Sequence, residues 1–97
     1  MTDTPETRRV TISAPNGLHI RSAALFVDLA RRFASSIHVV KGQQRVDGKS
    51  TLDLLTLAAE HGTEVVLEAA GGDAEAALDA LEKLINNNFS EPPQRAP

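Results

Sequence analysis

The chain contains no cysteine, no tryptophan and no tyrosine, and only three phenylalanines in 97 residues. Without cysteine it can form neither a disulfide nor a thiolate metal site. Without Trp or Tyr, and with only three Phe, it is poorly supplied with the platforms on which bases stack. Its net charge of −3 gives no basic footprint either, so no nucleic-acid partner is expected. No apolar run approaches the roughly 20 residues that cross a bilayer. The N-terminus is polar and lacks a signal-peptide pattern, so a cytoplasmic location without membrane insertion is expected. No cluster of metal-ligand spacing is visible, and neither metal nor cofactor is expected. Gly48-Lys49-Ser50 ends like a phosphate-binding P-loop, but that motif needs glycine at position 43, where Gln43 stands.

What remains reads as one small α+β domain. Residues 1–7 are expected to be flexible, 8–89 to form the domain, and 90–97 to be a disordered tail. Residues 8–13 alternate, with Val10 and Ile12 on one side, and predict a strand. Ala14-Pro15-Asn16-Gly17 predicts a turn. A helix over 20–33 carries Ser22, Phe26, Leu29, Ala30 and Phe33 at helical spacing. Residues 37–41 and 43–46 read as strands joined by a hairpin at Gly42. A short helix starts near Ser50, which with Asp53 forms a capping-box pattern. A fourth strand spans 64–70. Asp73 is a suitable N-cap for a third helix bearing Ala74, Ala77, Leu78, Leu81, Leu84 and Ile85. The order βαββαβα suits helices on one face of an antiparallel sheet, though spacing alone does not give the strand order.

The second helix has more leucines than one face can bury. Leu54, Leu57 and Ala58 form one stripe, and Leu52, Leu55 and Ala59 another. One is expected in the core and the other exposed for a partner. His38 and His61 stand apart from other ligand types in sequence, and no function is assigned to them.

Chemistry concentrates in Asn16-Gly17-Leu18-His19-Ile20-Arg21. A histidine, then an arginine two residues on, fall where a helix begins. Helix N-termini offer unpaired N–H groups and partial positive charge. Imidazole titrates near pH 6.5, so it is a neutral nucleophile and a good leaving group near neutrality. A phosphate held there gains about 0.3–1 kcal/mol, and up to ~2, from the helix dipole. A guanidinium contact adds roughly 1.5–3 kcal/mol. Terms this modest suit a group that must be given away again. No second catalytic set accompanies the pair, so an independent catalyst is not expected.

The segment Val10-Thr11-Ile12-Ser13-Ala14-Pro15-Asn16-Gly17-Leu18-His19-Ile20-Arg21-Ser22-Ala23-Ala24 closely resembles the active-site region of HPr. HPr is the histidine-containing phosphocarrier of the bacterial phosphoenolpyruvate-dependent sugar phosphotransferase system. The resemblance spans about residues 10–89. It implies an open-faced β-sandwich, a four-stranded antiparallel sheet covered on one face by three helices. It implies a monomer that accepts a phosphoryl group on His19 from phosphorylated enzyme I and passes it to a IIA domain for sugar uptake. Arg21 and the backbone of Ile20 and Ser22 would support the phosphate. Two residues depart from the family: Ser22 replaces its usual proline, and Ile20 a smaller residue. Asp47-Gly48-Lys49-Ser50-Thr51-Leu52 resembles the regulatory segment, so Ser50 matches the serine phosphorylated by an HPr kinase/phosphorylase in many Gram-positive bacteria. The family's docking patch maps to Ala24, Lys49, Thr51, Leu52 and Leu55, and Ser50 is expected to lie near His19. The alternative is a signalling output: a nitrogen-type carrier, or a regulator that only binds, against which His19 and Arg21 argue.

Overall fold

The computed structural model describes residues 4–90. The strands are β1 (Glu6–Thr11), β2 (Ser36–Lys41), β3 (Gln44–Asp47) and β4 (Glu64–Ala70). The helices are α1 (Ile20–Ala30), α2 (Thr51–Thr56) and α3 (Ala74–Asn86). The strands form one sheet in the order β1-β4-β2-β3, with every neighbouring pair antiparallel. This is the α+β open-faced architecture expected from the sequence. β1 begins inside the segment expected to be flexible, because Glu6 and Thr7 pair with Ala69 and Glu68. Ser90 still donates its N–H to the Asn87 carbonyl at 3.0 Å. The rest of the tail expected over 90–97, like residues 1–3, lies outside the described residues.

Alternation fixes which face of the sheet is covered. Along β4, Val65, Leu67 and Ala69 are buried, while Val66, Glu68 and Ala70 between them are half-exposed. Leu67 meets the fully buried Leu78 and Leu81 of α3 in one core cluster. Each such leucine contributes about 1.5–3 kcal/mol by leaving water. Arg8 ties β1 to α3 with Nη1 2.8 Å from both Asp79 and Glu82. Those two carboxylates raise its pKa further, Asp79 more than Glu82.

Three local expectations are corrected. α1 stops at Ala30 rather than at residue 33: Arg32 and Phe33 donate to carbonyls three residues back, which tightens and ends the last turn. Asp73 occupies the N-cap position of α3 but makes no capping bond. Its carboxylate accepts instead from Ala34 N–H at 2.8 Å, Ser35 N–H at 2.9 Å and the Ser35 hydroxyl. Ser35 is buried and its donors are cut off from water, so the carboxylate is drawn to them. Gly71 permits the approach, since a Cβ there would sit 2.5 Å from Ser35 Oγ.

The third correction concerns α2. It has only six residues. Ala58 then turns left-handed at φ 50°, so helical spacing does not carry past Leu57. Leu54, Leu57 and Ala59 are buried, Ala58 is exposed and Leu55 is half-buried against the core. Only Leu52 of the second stripe is fully exposed, at 76%. The Lys41 ammonium, 2.9 Å from the Leu57 carbonyl, caps the end of α2.

Candidate functional site

α1 and α2 run in opposite directions, and this decides what lies near His19. The Leu18 N–H bonds the Ala59 carbonyl, just past the end of α2, at 2.8 Å. At the other end, Arg31 Nη2 donates to the Lys49 carbonyl at 3.2 Å and Lys49 Nζ donates to the Phe33 carbonyl at 2.8 Å. Ser50 therefore sits a helix length from His19, not beside it. For the 11 residues of α1 that is roughly 16 Å. The Ser50 hydroxyl caps α2 by accepting from Asp53 N–H at 3.2 Å. Asp53 does not return the bond. Its carboxylate takes the Asp47 N–H, so half of the expected capping box forms.

The loop that delivers His19 is held on both sides. Gly17 has φ +66°, and a Cβ on it would lie 2.6 Å from the Ala59 carbonyl oxygen. Only glycine fits that approach. His19 is the N-cap of α1, extended at φ −121° and ψ −175°. Its carbonyl takes the first helical bond, from Ala23 N–H at 2.8 Å. Ser22 closes the loop from inside the helix. Its hydroxyl, 2% exposed, accepts the His19 N–H at 2.8 Å and lies 3.1 Å from the His19 carbonyl. The Ser22 N–H faces the imidazole in capping-box fashion without closing a side-chain hydrogen bond. The N–H groups of Ile20 and Arg21 meet no acceptor among the described residues.

His19 and Arg21 open onto a cleft of about 510 Å³. Ala14, Ser22 and Leu25 share their wall, and Asn88, Phe89 and Ser90 form the other. No acidic side chain among the described residues lines it, and α1 has no acidic residue in its first turn. Arg21 is exposed and forms no salt bridge among the described residues. The cleft thus offers helix-start N–H groups, a guanidinium and an imidazole, which together suit a phosphate dianion. Among the described residues no three His, Asp or Glu side chains could hold a metal ion.

The far wall escaped sequence reasoning. Asn88 and Phe89 both have positive φ, 57° and 60°, which folds the chain back after α3. The available signal was Asn86-Asn87-Asn88 before an isolated phenylalanine, since asparagine tolerates left-handed backbone. Of the other expected site residues, Ala24, Lys49 and Thr51 are half-buried, while Ile20 is 69% exposed. His38 is half-buried on the uncovered sheet face, paired with Glu68 and Asp47, and His61 is exposed.

A family model described as the PTS HPr component phosphorylation site matches residues 6–87. The chain belongs to the HPr family. It is 45% identical over 85 residues to the phosphocarrier protein HPr of Pseudomonas putida, covering 87% of this chain and 94% of that one. It is 39% identical over 84 residues to the phosphocarrier protein NPr of Shewanella violacea, covering 87% and 92%. The crystal structure of HPr-C-His from Thermoanaerobacter tengcongensis superposes with a TM-score of 0.85 at 39% identity, covering 91% of this chain and 99% of that chain. Its general role is thereby that of a phosphotransferase-system phosphocarrier. No helix among the described residues is long and apolar enough to cross a membrane.

Proposed function

We propose that this HPr-family protein accepts a phosphoryl group on His19 from phosphorylated enzyme I and hands it to a IIA domain. The observation that carries this reading is the N-cap position of His19, at a helix start with two unpaired N–H groups and in one cleft with Arg21. The imidazole attacks the incoming phosphorus and the bond from phosphorus to the donor breaks. Arg21 and the helix-start N–H groups then meet the phosphoryl oxygens. Transfer of this kind requires position and charge stabilisation more than covalent machinery, and the partner supplies the rest. Docking through Ala24, Lys49, Thr51, Leu52 and Leu55 belongs to the same reading. So does modification of Ser50 by a kinase, for which its hydroxyl would leave the cap of α2.

Incubation with phosphoenolpyruvate and enzyme I, followed by phosphosite mapping, tests the assignment. The label is expected on His19, acid-labile, and absent from His19→Ala. Arg21→Ala is expected to slow uptake with little change in thermal midpoint, because exposed charges add little stability. Label retained by His19→Ala sinks the reading.

The second reading is a signalling output, favoured by the 39% identity to an NPr. The 45% identity to an HPr favours sugar transport as the first choice. Phosphoryl transfer to a sugar-type IIA domain faster than to a nitrogen-type one supports the first, and the reverse order the second.

A further inference from the structure

We propose that Asn88 is a third ligand of the phosphoryl group, donating from Nδ2 across the cleft to the group carried by His19. The proposal rests on the reading of His19 as the acceptor. Its first support is backbone strain. A helix end needs at most one left-handed residue, a place Asn88 fills without strain, yet Phe89 after it is left-handed too and is neither glycine nor asparagine. Such residues persist only where their surroundings hold them, and they gather at functional sites. The surroundings here are explicit: Phe89 N–H bonds the Leu84 carbonyl at 2.8 Å, and its ring is buried to 6% exposure in the core. The anchored phenylalanine keeps Asn88 at the rim, facing the same cleft as His19 and Arg21.

The second support is the amide's orientation. The Ser13 hydroxyl lies 2.9 Å from Asn88 Oδ1. A carbonyl oxygen so engaged leaves Nδ2 as the other end of the amide. Nδ2 meets no acceptor among the described residues. Ser13, in the loop just after β1, thus acts as a positioning residue that sets which end of Asn88 is available.

The third support is chemical. A phosphoryl group presents three oxygens with more acceptor positions than Arg21 and the helix start fill. A neutral amide adds a hydrogen bond without adding charge, so it steadies the group without trapping it. An acidic residue here would repel it.

Three variants separate this role from a structural one. Asn88→Gly keeps the left-handed turn and removes the amide. Asn88→Asp keeps the shape and the Ser13 bond but replaces the donor with an anionic oxygen. Ser13→Ala leaves the amide free to turn. Each is equilibrated with phosphoenolpyruvate and enzyme I. The phosphorylated fraction and the hydrolysis half-life of the phosphohistidine are then read beside a melt. The equilibrium is expected to fall roughly tenfold for Asn88→Gly, the value of one hydrogen bond to a charged group. It is expected to fall further for Asn88→Asp and less for Ser13→Ala, with the melt of Asn88→Gly unchanged. Equilibrium and half-life within twofold of the parent for Asn88→Gly overturn the proposal while leaving His19 standing. Label on another residue of the parent overturns both.

Discussion

Ser22 stands where HPr proteins usually carry proline, and its hydroxyl closes the start of α1 by another route. It is buried, it accepts the His19 N–H, and no other acceptor among the described residues takes that donor. Ser22→Ala is therefore expected to cost about 0.5–1.5 kcal/mol, the net worth of one hydrogen bond, since the His19 N–H is only part-buried. In a domain this size that lowers the thermal midpoint by roughly 4–8 °C per kcal/mol. Uptake of phosphate on His19 is expected to slow with it, because the loop carrying the imidazole loosens. A midpoint within a degree of the parent would count against the lock. The placement of His19 and Arg21 at a helix start was legible in the sequence because its signals are local. The hydroxyl of Ser22 was not, since its partner is a backbone group in a loop whose shape depends on Gly17 meeting Ala59. Asn88 was hidden for a similar reason: its role needs a doubly left-handed turn that composition only permits.

Among the elements, β4 was readable to the residue, since its alternation runs unbroken over Glu64–Ala70. α2 was misread, because periodicity gives the face of a helix but not where it stops. Once it ends at Thr56, Leu52 and Leu55 part company: one is exposed, and the other packs on the core. Leu52→Asp is expected to weaken binding to enzyme I by several-fold or more while the melt is kept. Leu55→Asp is expected to lower the melt, because it puts a charge against apolar neighbours. A binding titration beside circular dichroism separates them, and unchanged binding by folded Leu52→Asp removes that residue from the docking surface.

For the molecule as a whole, the helix-on-sheet class followed from element order. The order β1-β4-β2-β3 did not, because pairing across the sheet is set by contacts far apart in sequence. The same holds for the Asp73 clamp, which joins the α1–β2 loop to the start of α3 across 38 residues from Ser35. Hydrogen bonds from Ser35 foremost, then from Ala34, lower the Asp73 pKa. The folded state thus favours the carboxylate. Its stabilisation is complete above the unfolded pKa of about 3.9 and is lost as pH falls through the lower folded value. Asp73→Asn is expected to melt below the parent at neutral pH, and the gap to close on acidification below about pH 4. A gap independent of pH would mean that the charge is not what holds the loop. The antiparallel run of α1 and α2 has a consequence of its own. A phosphate on Ser50 and one on His19 would stand roughly 16 Å apart, about two screening lengths at physiological ionic strength. Neither would feel the other's field strongly through solvent. Any crosstalk between the two modifications would have to be read by a single partner broad enough to touch both ends of α1 at once.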